Sequence, residues 1–350
     1  MFEFSKECFP DLLKTYDVYN TISETSELLR LICDVDKQDS KEFKLFYKVS
    51  FLDREPIVIK FRGGCTTRNK PDIIEKQTEF SDLLRTNNII TPKYYKTGSG
   101  FVQRIMIKGY DLSVTVEDFA KNEIKTVNDS ISFLQGQLLA KIHNVSEKYE
   151  CHVPNKTPLN PFTDNDLFSF EEFSKIKQTL PVVFFNDFDE IVASYRIKKK
   201  RLEPISKRNS YAVQGDLSDC NSFLTSRGEI GIFDFNCCGD CILFGDAIMQ
   251  GWFVSHLMDY NEPLTSELSD KLFLSFISGY NSVRRFTDEE KSLIPDLYSI
   301  INAFDRGRIM DDTDDNDNLQ KAVKQNNYES ISEHLKEIKQ LLIDDIKMTI

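Results

Sequence analysis

Three early segments of the chain, Glu27 to Val35, Phe43 to Phe51 and Pro56 to Phe61, are short runs rich in apolar, β-branched and aromatic residues, the second alternating with polar ones, and that pattern predicts strands. The turn Asp53-Arg54-Glu55 links the second to the third, so a meander is expected, preceded by an amphipathic stretch with Phe9, Leu12, Leu13 and Tyr16. From Asp72 to Thr86 the period lengthens to that of a helix. Ile73, Gln77, Phe80 and Leu84 form one stripe, and Glu75 and Glu79 lie one turn apart on another. A hairpin of Lys93 to Lys96 and Phe101 to Ile107 is expected next, ending at Lys108-Gly109. From about Tyr110 onward the pattern reads as helical, with Ile131, Leu134, Leu138, Leu139 and Ile142 recurring up to His143. The stretch from Cys151 to Pro161 holds three prolines and reads as a loop. A last helix is predicted from Tyr328 to Ile346, with Ile331, Leu335, Ile338, Leu341 and Leu342 on one face.

Strands followed by helices in a chain of 350 residues predict an α+β protein of two domains, a sheet-rich part over residues 1–107 and a mainly helical part over 108–350. The candidate chemistry lies where the helical part is interrupted. The segment Tyr211-Ala-Val-Gln-Gly-Asp216-Leu-Ser-Asp-Cys-Asn221 runs into Ser222-Phe-Leu, turns at Arg227-Gly228-Glu229, and returns as Ile230-Gly-Ile-Phe-Asp234-Phe235. A short hairpin of that kind brings Asp216, Asn221 and Asp234 toward one point. A carboxylate and an amide oxygen suit a hard cation such as Mg²⁺, whose charge offsets that of a nucleotide's phosphates. A second carboxylate can orient an accepting hydroxyl and take its proton. Asp216 fits that second role, and Asn221 with Asp234 the first.

Gly-Asp-x-x-x-x-Asn followed by two hydrophobic positions and Asp-Phe resembles the catalytic segment of the aminoglycoside, choline and type II homoserine kinase family, small-molecule relatives of the protein kinases. That family has His-Gly-Asp where Gln214 opens the motif here. The resemblance implies a protein-kinase-like two-lobed fold, ATP (with GTP left open) and Mg²⁺ as cofactors, and transfer of a phosphoryl group to the hydroxyl of an aminoglycoside, homoserine or choline-like amino alcohol. It implies that Lys60, on the third strand, reaches the α and β phosphates. By the same resemblance Glu79 is the helix acid that holds Lys60, because it is followed by Leu83-Leu84 and Pro92, with Glu75 as the alternative. The backbone of Ile105 to Ile107 would read the adenine, at a hinge closed by Gly109. His143 matches the Leu-Ala-x-x-His run of the family and reads as a buried bracing histidine, and Asp246 as a helix cap or loop brace. Phe276-Ile-Ser-Gly-Tyr280 and the following Arg284-Arg285, with Leu12 to Val18, resemble the homoserine kinase branch. A catalytically weak nucleotide-binding relative is the alternative. An ordinary protein kinase fits less well, because Asp234-Phe235 is followed by Asn236, an Ala-Pro-Glu element is missing, and Val35 to Lys41 is no glycine-rich loop.

Composition narrows the partners. With 44 basic and 56 acidic residues the net charge is −12, which opposes binding to nucleic acid or an anionic membrane and mildly favours a cationic or neutral small molecule. No apolar run approaches the roughly 18 residues of a membrane span, and Met1-Phe-Glu-Phe lacks the basic start of a secretion signal, so a cytosolic protein is expected. The 8 cysteines are expected as free thiols. Of Cys220, Cys237, Cys238 and Cys241 only the last two have the spacing of a zinc half-site, so zinc is not expected. The acidic run Asp311 to Asp317 reads as a solvated loop, with recognition of a substrate ammonium as the alternative.

Overall fold

The computed structural model describes residues 9–18, 23–33, 43–64, 66–107, 109–310 and 317–343. The Val35 to Lys41 segment, residues 311–316 and the end of the last predicted helix lie outside them. The chain divides into two compact units. The first comprises residues 1–124, 151–155 and 220–239, and the second the rest. The boundary expected at 107/108 therefore lies inside the first unit.

The first unit is built on a five-stranded antiparallel sheet of β1 (Ser23–Cys33), β2 (Phe43–Phe51), β3 (Ile57–Gly63), β4 (Gln103–Ile107) and β5 (Tyr110–Asp118), in the order β1-β2-β3-β5-β4. The expected helical pattern from Tyr110 is corrected here. Leu112, Val114 and Val116 alternate with polar residues, which is strand periodicity, and β5 lies between β3 and β4. Residues 107 and 110 pair across the tight β4–β5 turn, where Gly109 takes a positive φ of 86°. The expected strand at Lys93 to Lys96 reduces to an isolated bridge from Tyr94 to Glu117. One face of the sheet, with Leu45, Tyr47, Ile57, Ile59, Phe61, Leu112 and Val114, buries Phe9, Leu12 and Leu13 of α1 (Phe9–Thr15). Tyr16 follows that helix and donates its hydroxyl to the Val114 carbonyl at 2.6 Å. Helix α2 (Pro71–Thr86) starts with proline in its first turn, as a helix tolerates, and buries Ile73, Ile74, Gln77, Phe80 and Leu84.

The second unit is mainly helical. Helix α3 (Asp129–Lys148) opens on an Asn128 side-chain cap, and α4 (Phe170–Ile176) and α5 (Phe185–Leu202) follow. The short strands β6 (Tyr211–Val213), β7 (Ser222–Leu224), β8 (Ile230–Ile232) and β9 (Gly239–Cys241) carry the catalytic-type motif, with β7 and β8 belonging to the first unit. Then come α6 (Leu243–His256), α7 (Ser266–Val283), α8 (Asp288–Ala303), α9 (Arg306–Ile309), α10 (Leu319–Lys324) and α11 (Tyr328–Ile343). Buried apolar side chains on α6, α7 and α8 include Trp252, Phe273, Phe276, Leu297 and Ile301. Helices α3 and α7 approach so closely that a Cβ at Gly136 would stand 2.0 Å from the Phe276 carbonyl oxygen, and one at Gly279 would stand 2.1 Å from that of Phe133. Two glycines are what let these backbones touch.

Asp246 does not cap α6. The cap position is Ile242, and the Asp246 carboxylate instead accepts from His143 Nε2 at 2.9 Å. His143 is fully buried, and burial holds its pKa below the ordinary value despite the pull of Asp246. His256, stacked on Trp252 with ring centres 4.9 Å apart, is lowered by burial to about 4. Five described cysteines, 151, 220, 237, 238 and 241, are free thiols. No helix among the described residues is long and apolar enough to cross a membrane.

Gly136→Ala should cost about 1 to 3 kcal/mol by forcing α3 from α7, while Gly98→Ala, where an added Cβ meets nothing within 4 Å, should be near neutral. Thermal unfolding of the two variants tests this, and equal melting temperatures would refute the close contact. A second expectation concerns acid. The folded pKa of His256 lies below its unfolded value of 6.5, so its share of stability is full above that value and is lost as pH falls below it, at up to about 1.4 kcal/mol per pH unit. His256→Phe should therefore narrow the loss of stability between pH 7 and 5 in urea titrations; an unchanged slope would contradict the buried neutral ring.

Candidate active site

Strand β3 is buried on both faces. Ile57, Ile59 and Phe61 point to the apolar cluster under α1, so the alternation sends Val58, Lys60 and Arg62 to the other face. The register sets Lys60 opposite Phe46 of β2 and Thr115 of β5, and Arg62 opposite Lys44 and Ser113. Cations held out of water require counter-charge and hydrogen bonds. Lys60 Nζ lies 2.8 Å from Glu117 Oε1, 4.0 Å from Asp234 Oδ1 and 5.3 Å from the centre of the Phe46 ring. Glu117 is two residues beyond Thr115, on the same side of β5, and its side chain is 3% exposed. Arg62 donates to the side-chain oxygens of Gln77 and Asn236. Gln77 Nε2 in turn donates to the carbonyls of Asn236 and Cys238, each at 3.1 Å, which ties α2 to the turn after Asp234.

Asn221 and Asp234 flank the β7–β8 hairpin. Ser222 pairs with Ile232, and the Asn221 carbonyl accepts from Phe233 N–H at 2.9 Å, so just beyond the strand ends Asn221 stands opposite the residue that precedes Asp234. The Ile232 N–H is taken by the Ile90 carbonyl at 2.9 Å, which fixes the hairpin within the unit. Asp234 adopts a left-handed conformation, φ 56° and ψ 77°, at a cost of about 1 kcal/mol for a residue other than glycine. Its carboxylate accepts the Asn236 N–H at 3.4 Å. Burial raises the pKa of that carboxyl, but Lys60, Arg62 and Lys44 together outweigh it and leave the pKa below the ordinary carboxylate value. An ionised carboxylate and an amide oxygen are both hard oxygen donors of the kind Mg²⁺ takes. Among the described residues no group of three or more His, Cys, Asp or Glu could hold a metal, so an ion at this pair would take its remaining oxygens from ligand or water.

Asp216 belongs to the second unit. It follows Gly215, whose φ of 82° turns the chain, and its N–H donates to Gln214 Oε1 at 2.8 Å. Gln214 is fully buried. The glutamine that stands where the resembling family has histidine is thus a brace for the residue it precedes.

Other expected residues fall elsewhere. Glu79 is half exposed, bonded to Lys76 at 2.7 Å, and makes no contact with Lys60. Glu75 accepts the N–H groups of Phe101 and Val102, each at 2.8 Å. The reason is helical phase: Gln77 faces the site, and residues two positions away point about 200° around the helix. Ile105 and Ile107 are on β4, separated from Lys60 by β5, and pack partly against the apolar cluster on the opposite face. Asp317, the one described member of the acidic run, is 3.6 Å from His334. Glu117, Arg62 and Gln77 are not among the expected site residues. Polar residues at every second place of otherwise apolar strands, Arg62 after Lys60 and Glu117 after Thr115, are the available signal.

No family model and no curated protein matches the sequence. Solved structures do match. A microcompartment-associated aminopropanol kinase shares 15% identity over 96% of this chain and 95% of its own, with a TM-score of 0.55. The amicoumacin kinase hAmiN, solved with AMP-PNP, Ca²⁺ and its Ami ligand, shares 16% over 96% and 94%, with a TM-score of 0.53. The fold is the protein-kinase-like α+β fold that these two structures share.

Glu117→Ala should cost about 3 to 5 kcal/mol, because it leaves the Lys60 ammonium buried without its close partner. Glu79→Ala removes an exposed pair and should cost under about 1 kcal/mol. Urea unfolding distinguishes them, and a larger loss at Glu79 would return that residue to Lys60.

Proposed function

We propose that this protein is an ATP-dependent phosphotransferase that phosphorylates a hydroxyl group of a small molecule, an amino alcohol or aminoglycoside-like compound. The observation that supports it most is the set around Asp234: an ionised carboxylate in a strained backbone position, with Lys60 4.0 Å away and the Asn221 backbone bonded to the residue just before it. A backbone conformation that costs energy is kept where the carboxylate is needed in one place. Asn221 and Asp234 would hold Mg²⁺, which supplies positive charge against the β and γ phosphate oxygens. Lys60, fixed by Glu117, presents its ammonium to the phosphates nearer the nucleoside, and its orientation is set before the nucleotide arrives.

Asp216 accepts the proton of the attacking hydroxyl and aligns its oxygen. Its N–H is committed to Gln214, so the backbone that carries the carboxylate is held independently of substrate. That brace supports turnover over mere nucleotide binding for this chain. The kinases of the same fold act, by their descriptions, on aminopropanol and amicoumacin. Both names fit the net charge of −12, which mildly favours a cationic acceptor.

ATP consumption should rise with one or more of homoserine, choline, aminopropanol and aminoglycosides, and should require Mg²⁺. Asp216→Asn should lower kcat on the order of 10² to 10⁴ with the ATP KM little changed. Wild-type turnover in that variant would remove Asp216 as the base. Binding of ATP with no acceptor consumed across the panel would favour a nucleotide-binding relative, and a preference for GTP would revise the donor.

A further inference from the structure

The loop that carries Asp216 is held at a second point. Leu217 N–H donates to Gln250 Oε1 at 2.8 Å. Gln250 Nε2 donates to Asp246 Oδ1 at 3.4 Å, and the other oxygen of that carboxylate accepts from His143 Nε2 at 2.9 Å. His143 Nδ1 meets the Tyr280 hydroxyl at 2.8 Å. Leu217, Gln250, Asp246 and His143 are fully buried, and Tyr280 is 1% exposed.

Donors and acceptors can be assigned along the whole chain. Burial keeps His143 neutral, so one ring nitrogen donates and the other accepts. The carboxylate accepts, which places the proton on Nε2 and leaves Nδ1 to accept from the Tyr280 hydroxyl, a group that burial keeps protonated. At its other end the carboxylate orients the Gln250 amide. With Nε2 turned to Asp246, Oε1 can only face Leu217. A free glutamine amide has two nearly equivalent orientations, and here the carboxylate selects the one that accepts a backbone N–H.

We infer that Gln250 is a positioning residue for the Asp216 loop, its amide oriented by the buried Asp246–His143–Tyr280 series so that successive N–H groups, those of Asp216 and Leu217, are each fixed by a glutamine carbonyl. Nothing in the resemblance to known kinases assigns this role to position 250. Gln250 does not touch a reacting group. It acts through the peptide that bears the carboxylate, and a misplaced base lowers turnover while leaving nucleotide contacts intact. The effect on turnover rests on the phosphotransferase reading; the effect on the loop does not.

The test uses the full chain with two readouts, amide exchange of peptides spanning 211–219 by mass spectrometry and nucleotide-dependent turnover. Gln250→Met keeps length and removes both polar groups. Gln250→Glu keeps an acceptor for Leu217 but sets a carboxylate against Asp246. Each should speed exchange of the loop amides by about tenfold or more, with α3 and α7 protected as in wild type. Each should lower kcat by about the same factor with the ATP KM within about twofold. Combining Gln250→Glu with Asp246→Asn restores a donor facing an acceptor at both joints, and should return exchange and kcat to within about threefold of wild type. Wild-type loop exchange in Gln250→Met, or a double variant no better than Gln250→Glu alone, would overturn the inference. The expected exchange pattern in a protein that consumes no nucleotide would uphold the positioning role and sink the phosphotransferase reading instead.

Discussion

A buried cation must carry its counter-charge with it, and in this protein that requirement organises the inner face of the sheet. Lys60 is 6% exposed at its side chain and is matched by Glu117 at 2.8 Å. That match is available because β5, not β4, lies beside β3. Lys60, with Arg62 and Lys44, also acts on Asp234 and holds its carboxyl ionised in spite of burial. Helix α2 is then free of the electrostatic task and contributes a neutral amide, Gln77, which links Arg62 to the turn after Asp234. A lysine held by its own sheet and a helix tied by hydrogen bonds form a rigid surface of fixed charge, the condition under which electrostatic stabilisation costs no reorganisation.

The second unit solves a different problem, that of placing a loop carboxylate with buried polar side chains. Apolar packing at α3 and α7 is dense enough that only glycine fits at 136 and 279. Into that core the chain sets a histidine, a carboxylate and glutamines, each costly unless bonded. Their bonds end on the backbone of the Asp216 loop, so the cost of burying polar groups is tied to precision at one carboxylate. Gln214, next to the loop in sequence, and Gln250, on α6, thus hold successive N–H groups of that loop.

Much of this was legible in the chain itself. The Asp216, Asn221 and Asp234 spacing, the hairpin between the last two, and Lys60 on the third strand follow from local period and residue chemistry, and the fold sets Lys60 4.0 Å from Asp234. The partner of Lys60 was not legible. The resemblance points to Glu79 through the Leu83-Leu84 pair and Pro92 that follow it, yet Gln77 lies on the stripe expected to face the sheet, and Glu79 does not. The reading of Tyr110 onward as helical hid β5, and with it Glu117, because alternation over nine residues is a weaker signal than the longer periodicity that begins at α3.

Local sequence by itself determined the element types around the motif, the hard-oxygen side chains at Asn221 and Asp234, and the candidacy of Asp216, since each depends on residues within one turn or one hairpin. Only tertiary structure decided which carboxylate neutralises Lys60, which helix residue faces Asn236, and which amide holds Leu217. Those choices depend on strand order and on helix faces brought together from distant parts of the chain. An exposed Glu79 and a buried Glu117 are chemically alike in sequence; burial, which the fold alone assigns, makes one of them indispensable to Lys60.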